Sequence, residues 1–370
     1  MSIEPLLQLM IDRDGSDLFI SVGKEPSIKI HGEVHAVGSE ILSASMSREL
    51  ALGTMEDWQR TQFQSEKELN YALVLKSGER FRINAFFNMG YVGMVVRRIR
   101  SDIPTPESLH LPPILQELVM SKRGIIIFTG STGAGKSTSL ASLIGHRNRH
   151  AKGHIVTIED PVEFVHQHDQ CIVTQREVGI DTHSWQAALK NVLRQSPDVI
   201  LIGEIRDQET MESAIAMAET GHLVLATLHA NNANQVLERV LHFFRPQKRE
   251  QVLLDLSLNL RGIVAQQLVP TLETGRRAAL EILVNAPFVA DLISKGQVRQ
   301  LKEAMAKSRE AGMQTFDQAL FDLFNAGLIS YENALAFAES KNDLRLMIKL
   351  KDDPDAARPS RVEFNIEQDI

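Results

Sequence analysis

The stretch Gly130-Ser131-Thr132-Gly133-Ala134-Gly135-Lys136-Ser137-Thr138 decides the fold, because it fits the phosphate-loop pattern G-x-x-x-x-G-K-[ST] without a mismatch. The apolar run Ile125–Phe128 precedes it, and a helically spaced segment, Leu140–Ile144, follows it. A chance glycine-rich turn is the alternative, and the flanking strand and helix make it the weaker interpretation. The sequence therefore predicts a loop that binds a nucleoside triphosphate.

Each part of this loop has an expected task. The glycines let the backbone curl so that successive N–H groups point at phosphate oxygens, and the following helix adds the positive end of its dipole. Lys136 is long enough to reach the β- and γ-phosphates, and Ser137 offers a hydroxyl group to Mg²⁺. We therefore assign residues 130–138 to nucleotide binding and Ser137 to the metal.

The composition is that of an ordinary globular protein. The chain has 370 residues, 43% hydrophobic and 24% charged, which is enough for two domains with hydrophobic cores. No apolar run approaches the roughly 20 residues of a membrane span, and the N-terminus carries no secretion signal. The single cysteine, Cys171, excludes an internal disulfide and a multi-cysteine zinc site. We expect a cytoplasmic protein, and a net charge of −7 argues against nucleic acid as the main partner.

Changes of pattern along the chain predict the domain boundaries. Residues 1–100 alternate short strands and turns around a helix at Leu50–Phe63, which is typical of an α+β domain. Two prolines in Ser101–Pro106 favour extended chain, so we place a linker at 101–113. Residues 114–350 have the pattern of an α/β domain that ends in helices. Residues 351–370 are polar and lack a sustained period, which predicts a mobile tail.

Short apolar runs bounded by polar turns predict the central sheet of the second domain. Continuous runs of this kind are typical of strands that are buried on both faces of a parallel sheet. They are Ile125–Phe128, Ile155–Ile158, Val199–Ile202 and Leu223–Ala226. From Gln247 onward the pattern is helical, with one strand expected at Ala278–Val284. The predicted fold class is α/β with a P-loop core.

Acidic side chains follow two of these runs, at the carboxyl ends where open α/β sheets bind ligands. Asp160 and Glu163 come after one run, and Glu204 comes after another. Glu163 fits a group that polarises the attacking water, with a solvated loop acid as the alternative. Asp160 fits a simple turn cap equally well. Glu204 fits an acid that organises the metal, and the alternative is a structural salt bridge to Arg206.

Two histidines frame the run Leu223–Ala226. His222 precedes it, and His229 follows it after two further residues. Either one could be an ordinary buried histidine that is hydrogen-bonded to backbone. Because they flank one strand, we expect both at the same edge of the sheet, in contact with phosphate or with the neighbouring acids.

These motifs together resemble those of the type II/IV secretion ATPases, and most closely those of the type IV pilus retraction ATPases. Residues 130–138 resemble the Walker A loop of that family, and Ile158–His166 resembles its aspartate box. Asp198–Asp207 resembles its Walker B segment, with Glu204 as the carboxylate, and Thr220–Asn231 resembles its histidine box.

The resemblance, which covers residues 3–345, implies a RecA-like P-loop ATPase core, an N-terminal α+β PAS-like domain and a ring of six identical subunits. It implies Mg²⁺-dependent hydrolysis of ATP, with Glu204 organising the metal and His222 joining residues 130–138 at the nucleotide. The catalytic residues that it implies are Glu163 as general base, Glu204, His229, Arg82 and Arg97. Without the resemblance both arginines are surface charges; with it, their guanidinium groups stabilise charge on the γ-phosphate.

Within the family, the chain resembles the PilU branch more than the others. The assembly ATPases carry a tetracysteine zinc element, which a single cysteine cannot form. PilT-type chains carry Ala-Ile-Arg-Asn-Leu-Ile at the position of Ala286–Ile293, where this chain keeps only the final Leu-Ile. The resemblance therefore implies pilus retraction and twitching motility at the cytoplasmic face of the inner membrane. A PilT-type ATPase and an inner-membrane platform protein are the implied partners.

Two other functions stay open at this point. A regulatory or adaptor subunit would bind ATP and hydrolyse little of it, and the altered motif at 286–293 favours such dependence on a PilT-type partner. A nucleic-acid motor would use the same RecA-like core, but the acidic balance and the lack of a basic stripe count against it. We expect no nucleic-acid partner, and at most a peripheral association with the membrane.

Overall fold

The computed structural model describes residues 2–352 of the chain. They form two compact units, one with the residues up to Thr105 and Leu140–Gly203, the other with Pro106–Ser139 and the residues from Glu204 onward. The predicted consecutive domains, 1–100 and 114–350 with a linker at 101–113, remain predictions. The predicted mobile tail, 351–370, lies outside the described residues except for its first two, which end the last helix.

An antiparallel sheet and three helices form the N-terminal part of the first unit. Its elements are α1 (Glu4–Asp12), β1 (Asp17–Ile20), β2 (Ser27–Ile30), β3 (Glu33–Ala36), α2 (Ala44–Leu52), α3 (Asp57–Glu66), β4 (Glu68–Val74), β5 (Arg80–Asn88) and β6 (Tyr91–Ile99). The strand order is β3-β2-β1-β6-β5-β4, and each strand is antiparallel to its neighbours. The predicted α+β domain is confirmed.

Strand periodicity builds the core of this sheet. On β5 the side chains of Phe81, Ile83 and Ala85 are buried, and the residues between them are partly exposed. Successive side chains of a strand point to opposite faces, so these three share one face. Leu7 of α1 and Leu50 of α2 belong to the same core. The face of β5 that carries Arg80 and the next even-numbered residues is therefore left for polar contacts.

The predicted helix Leu50–Phe63 is in fact two helices. The first ends at Leu52, and Gly53 follows it as the C-cap residue. The second begins where Glu56 and Gln59 form a reciprocal capping box, which satisfies amide groups at a helix start. The capping signal outweighs the continuous apolar spacing and breaks the helix.

Parallel strands form the remainder of the first unit. They are β8 (Gly153–Glu159), β9 (Cys171–Glu177) and β10 (Val199–Ile202), and α6 (Trp185–Val192) precedes β10. β8 lies between β9 and β10 and pairs in parallel with both. The predicted strands at Ile155–Ile158 and Val199–Ile202 are confirmed, and their residues are buried. The sequence pattern did not predict β9, which is only partly buried.

The second unit combines four strands with helices in its described part. Its elements are α4 (Pro113–Val119), β7 (Gly124–Thr129), α7 (Gln208–Glu219), β11 (Leu223–Leu228), α8 (Ala233–Phe243), α9 (Arg249–Asn259), β12 (Leu260–Pro270), β13 (Arg276–Val284), α10 (Pro287–Ser294), α11 (Leu301–Lys307), α12 (Phe316–Asn325), α13 (Tyr331–Phe337) and α14 (Lys341–Asp352). The strand order is β13-β12-β7-β11, with β12 and β11 parallel to β7 and β13 antiparallel to β12. A further helix, α5 (Lys136–His150), begins directly after the loop that follows β7.

Strand β12 corrects the prediction of an almost continuous helical region after Gln247. Its residues Ile263, Val264 and Ala265 are fully buried between β7 and β13. A short apolar run that is covered on both faces has no period of its own, so pairing with neighbouring strands decides its structure. The strand predicted at Ala278–Val284 is confirmed by β13.

Candidate active site

The loop between β7 and α5 has the backbone of a phosphate cradle. Gly130, Gly133 and Gly135 all have positive φ, at 140°, 79° and 86°, a region that favours glycine. A Cβ atom on Gly130 would overlap the backbone carbonyl of Gln266, and one on Gly135 would lie 2.9 Å from the Gln266 side chain. Glycine is therefore required at both positions by the conformation and by the close approach of β12.

Lys136 is held inside the curl of this loop. Its Nζ donates hydrogen bonds to the carbonyl oxygens of Gly130 at 2.7 Å and Ser131 at 2.9 Å. Ser137 and Thr138 follow in the first turn of α5, where both are half-buried. The ammonium group, the free end of the helix dipole and the Ser137 hydroxyl thus lie in one short segment, as binding of a triphosphate requires.

Cavities of different size border this loop within the described part of the second unit. The larger, about 390 Å³, is lined by Gly130, Ser131, His229, Ala230, Asn231, Gln235, Glu238, Arg239 and His242. The smaller, about 170 Å³, is lined by residues 130–134 with Asn231, Gln267, Leu268, Arg276 and Phe337. The larger cavity joins the loop to His229 and to the polar side of α8, so the end of β11 belongs to the same site as the loop.

Glu204 and His229 are brought together by the end of β11. A backbone hydrogen bond from Ile205 N–H to Thr227 O, 2.8 Å long, fixes the segment that carries Glu204 beside this strand. One Glu204 carboxylate oxygen lies 3.0 Å from His229 Nε2, and the other accepts a 2.6 Å hydrogen bond from Arg206 Nε. The salt bridge to Arg206, the alternative role for Glu204, is therefore present alongside the histidine contact.

His222 lies elsewhere, and the expectation that both histidines share one edge is wrong. It precedes β11 beside Gly124, whose amide donates to the His222 carbonyl oxygen, whereas Gly130 follows the opposite end of β7. Six residues of strand separate the two ends, about 20 Å at 3.3 Å per residue. Its Nδ1 is 3.0 Å from the Met217 carbonyl oxygen, so the ring acts as a cap of α7 rather than as a phosphate contact of its own chain.

Glu163 is an exposed carboxylate in an irregular segment after β8. The segment begins at a cis Asp160–Pro161 peptide bond. Val162 before Glu163 is buried and Phe164 after it is half-buried, so the backbone is anchored while the carboxylate faces solvent. Such a group is available to a water molecule, as a general base must be.

Glu159, the last residue of β8, is a carboxylate to which the sequence assigned no catalytic role. Burial raises the pKa of the Glu159 carboxyl to about 7, against hydrogen bonds from Thr157 and Gln175 that lower it. The nearby carboxylates of Glu163 and Glu177 raise this pKa further. Its position at the carboxyl end of a buried parallel strand was the available signal.

The two arginines implied by the family resemblance are neighbours. Arg82 on β5 and Arg97 on β6 are directly opposite each other in the antiparallel pair. The Arg82 Nε lies 3.5 Å from a carboxylate oxygen of Glu177, which is buried, and the Arg97 Nε donates a 2.8 Å hydrogen bond to Asp17. Both guanidinium groups are therefore paired with carboxylates of the first unit. Sequence reasoning missed Glu177 because nothing in the neighbouring sequence distinguishes it from any other residue of a strand.

The oxygen donors present fit Mg²⁺ in the way that P-loop sites use it. Mg²⁺ takes a hydroxyl or a carboxylate together with phosphate oxygens and water, and Ser137 and Glu204 would supply those two groups. Among residues 2–352, no cluster of three or more His, Cys, Asp or Glu side chains could hold a metal ion unaided. Such a site would need the phosphates of the nucleotide to complete it.

The family follows from comparison with known proteins. Residues 3–322 match the model of the type II/IV secretion system proteins. The chain belongs to this family. Among curated relatives of this secretion family, the type IV pilus ATPase PilU of Pseudomonas aeruginosa is 56% identical over all of this chain and 97% of its own length. The pilus retraction ATPase PilT of the same organism is 38% identical over 90% of this chain and 97% of its own length.

Solved structures of secretion-family members agree with this assignment. The crystal structure of the pilus retraction motor PilT with bound ADP superimposes with a TM-score of 0.88 at 36% identity and covers 94% of this chain and all of that one. The ATPase DotB of Legionella pneumophila gives a TM-score of 0.77 at 26% identity, over 94% of this chain and 95% of that one. The fold is therefore a RecA-like α/β ATPase core with an N-terminal α+β domain. No helix among the described residues has the length and apolar character needed to cross a membrane.

Proposed function

We propose that this chain is an ATPase of type IV pilus retraction and twitching motility that works as a hexamer. The observation that carries the proposal is the full-length identity of 56% to a type IV pilus ATPase, combined with an intact glycine cradle around Lys136. The similarity to PilT, whose crystal structure contains ADP, supports nucleotide binding by this chain.

The proposed reaction is hydrolysis of ATP to ADP and phosphate. Lys136 and the amides of residues 130–138 bind the β- and γ-phosphates. Glu163 takes a proton from the attacking water, because its carboxylate is exposed on an anchored backbone. Arg82 and Arg97 donate to the charge that develops on the γ-phosphate, once each has exchanged its carboxylate partner for phosphate oxygens.

Ser137 and Glu204 would hold Mg²⁺ together with the phosphates. When it is bound, this ion neutralises the charge that builds up on the β- and γ-phosphate oxygens. The 3.0 Å contact between Glu204 and His229 supports an orienting role for the histidine, because it fixes the carboxylate from the side of β11.

A PilT-type partner, an inner-membrane platform protein and a place at the cytoplasmic face of the inner membrane belong to the same proposal. They rest on the pilus ATPases among the relatives. The observation that favours dependence on a partner is the acidic residue on the exposed side of α10. Asp291 is exposed there and pairs with Lys295 at 2.7 Å, where PilT-type chains carry a different motif.

Turnover of the purified full-length chain tests the proposal. We expect Mg²⁺-dependent release of phosphate from ATP that stops on addition of EDTA and returns with excess Mg²⁺. A Glu163→Gln variant should bind ATP normally and turn over roughly 10²–10⁴-fold more slowly, the usual contribution of a positioned base. Tight ATP binding without turnover in the wild-type chain would favour the regulatory or adaptor function instead. Salt-sensitive retention on DNA would point to a nucleic-acid motor.

A further inference from the structure

The segment around Glu163 has no regular secondary structure, yet side chains of β9 hold it on both sides. Gln175 and Glu177 alternate on β9 and therefore share one face of the strand. Before Glu163, the amide of Val162 donates to Glu177 Oε2 at 3.1 Å. After it, Gln175 Nε2 donates to the Phe164 carbonyl oxygen at 2.8 Å.

Gln175 makes a second contact that completes its hold on the segment. Its Oε1 accepts a 2.8 Å hydrogen bond from the amide of His166. The side-chain amide thus donates to one backbone group and accepts from another two residues later, as a neighbouring strand would. The backbone after Glu163 is fixed in both hydrogen-bonding directions.

Burial of the Glu177 carboxylate is energetically unfavourable unless the group has specific partners. Its side chain is 1% exposed, and burial raises the pKa of its carboxyl, partly offset by Val162 N–H, Arg82 and Arg80. An unpaired buried carboxylate destabilises a fold, so such groups are retained where they bind something specific. Here it binds the amide next to Glu163 on one side and a guanidinium of β5 on the other.

We propose that Gln175 and Glu177 are positioning residues, which fix the backbone on both sides of Glu163 and thereby aim its carboxylate at the attacking water. The inference rests on the proposed function of Glu163 as the base. An exposed side chain on an irregular segment has freedom that a base cannot use, and a misplacement of about 1 Å can cost on the order of 10² in rate. Hydrogen bonds from a rigid strand remove that freedom.

Steady-state ATPase kinetics of full-length variants test the proposal. Gln175→Ala and Glu177→Ala should each lower kcat at least about tenfold and leave KM within about threefold, because they disturb the base and not the phosphate cradle. Glu177→Gln retains an oxygen that can accept the Val162 N–H, so it should recover at least about threefold in kcat over Glu177→Ala. Thr174→Val is the matched control, since it removes the hydrogen bond to His154 on the opposite face of β9 and should leave kcat unchanged.

A double-variant comparison separates positioning from a general loss of structure. In a Glu163→Gln background, Gln175→Ala should lower kcat no further, because a residue that acts through Glu163 has nothing left to aim. An equal fold-loss in both backgrounds would overturn the proposal, as would wild-type kcat in both alanine variants. If Glu163→Gln alone leaves turnover intact, the assignment of Glu163 as the base fails, and the positioning role fails with it. If Glu163→Gln lowers kcat as expected but Gln175→Ala and Glu177→Ala do not, only the positioning role is overturned.

Discussion

At the scale of single residues, the charged groups that we propose for binding and catalysis already have partners, each within its own unit. Lys136 donates to loop carbonyls, Glu204 contacts Arg206 and His229, and Arg82 pairs with Glu177. A triphosphate bound as we propose would therefore compete with these contacts. Its multiple charges make that exchange favourable, since charge-assisted hydrogen bonds are the strong ones.

Lys136→Ala should abolish tight ATP binding. The substitution removes charge-assisted hydrogen bonds worth about 1.5–3 kcal/mol each, and the cradle amides alone cannot replace them. Calorimetric titration with ATP measures the affinity, with Lys122→Ala as the control because Lys122 is an exposed lysine just before β7. An affinity near that of the wild type would remove the phosphate contact assigned to Lys136.

Arg82→Ala and Arg97→Ala should both slow ATP hydrolysis, but Arg82→Ala should lower the free energy of unfolding by more than Arg97→Ala. Losing Arg82 removes the 3.5 Å ionic contact of the buried Glu177, which keeps the Val162 N–H and the more distant charge of Arg80; breaking a buried pair from one side costs up to about 3–5 kcal/mol. Asp17 is also buried, but it keeps a 2.8 Å hydrogen bond from Ser16 when Arg97 is lost, and the Arg97 side chain is 65% exposed, so we expect the smaller loss of stability there, on the order of 1 kcal/mol.

Thermal unfolding and ATP turnover, measured on the same samples, check this pair of predictions. Adding Glu177→Gln to Arg82→Ala should restore much of the lost melting temperature, because it removes a buried charge that has lost its ionic contact. An arginine whose removal leaves turnover untouched has a structural role only.

At the scale of elements, a buried carboxylate links β13 to the start of α8. Glu281 accepts a 2.7 Å hydrogen bond from the amide of Ala233, the first residue of α8. Burial raises the pKa of Glu281 to about 7, Glu339 and Asp317 raise it further, and the Ala233 amide and Lys302 lower it. This helix lines the larger cavity beside the phosphate loop, so Glu281 supports one wall of the site from behind.

Glu281→Gln should stabilise the protein at high pH. The folded carboxyl keeps its proton up to about pH 7, whereas the unfolded one loses it near pH 4.5, so the free energy of unfolding of the wild type falls as pH rises through that window. Glutamine stays neutral and retains the oxygen that accepts from Ala233. The variant should exceed the wild type by on the order of 3 kcal/mol at pH 8, with little difference at pH 4.5. Parallel stability curves for the two proteins would contradict this assignment.

Elements that contain a fixed motif or a recognisable apolar run could be predicted from the sequence. The loop 130–138 and the strands around it combine a fixed motif with short buried runs, and all of them were confirmed as strand, loop and helix. The strand β12 could not be predicted, because only its two neighbours make it extended. The prediction that His222 lies at the same edge of the sheet as His229 was wrong for a related reason. The two residues are at opposite ends of one strand, and the sequence alone does not show which end meets the phosphate loop.

The residues that surround Glu163 were beyond sequence reasoning altogether. Gln175 and Glu177 lie more than ten positions away in the chain and meet the segment only through the parallel pairing of β8 and β9. A candidate base can be identified from the sequence when an acidic residue follows the end of a predicted strand. The groups that hold them depend on tertiary register, which a single sequence does not contain.

At the scale of the whole molecule, α10 carries the stretch in which this chain departs from the motif expected of PilT-type chains. The helix buries Val289, Leu292 and Ile293 and exposes Phe288 and Asp291. Relative to Arg-Asn, the pair Ala290 and Asp291 shifts the local charge by about two units toward acid, which disfavours the contact that a PilT-type helix would make. We expect the chain to hydrolyse ATP and to need a PilT-type partner for retraction.

Restoring Ala290→Arg and Asp291→Asn together should give some retraction without that partner. The exchange removes only an exposed ion pair to Lys295, worth about 0.3–0.5 kcal/mol, so the fold should be unaffected. Pilus retraction in cells that lack the PilT-type protein measures the gain, with Glu303→Gln as the control because it removes a comparable exposed pair on α11. Robust retraction by the unmodified chain in such cells would contradict the dependence.

The hydrogen bonds that fix the backbone around Glu163 should slow amide hydrogen exchange in that segment. The amides of Val162 and His166 donate to β9 side chains, and the amide of Val165 donates to the Arg100 carbonyl oxygen at 3.0 Å. These amides should therefore exchange with deuterium as slowly as those of a strand, although no strand is present. Loss of that protection in Gln175→Ala would report the release of the segment in the absence of any nucleotide.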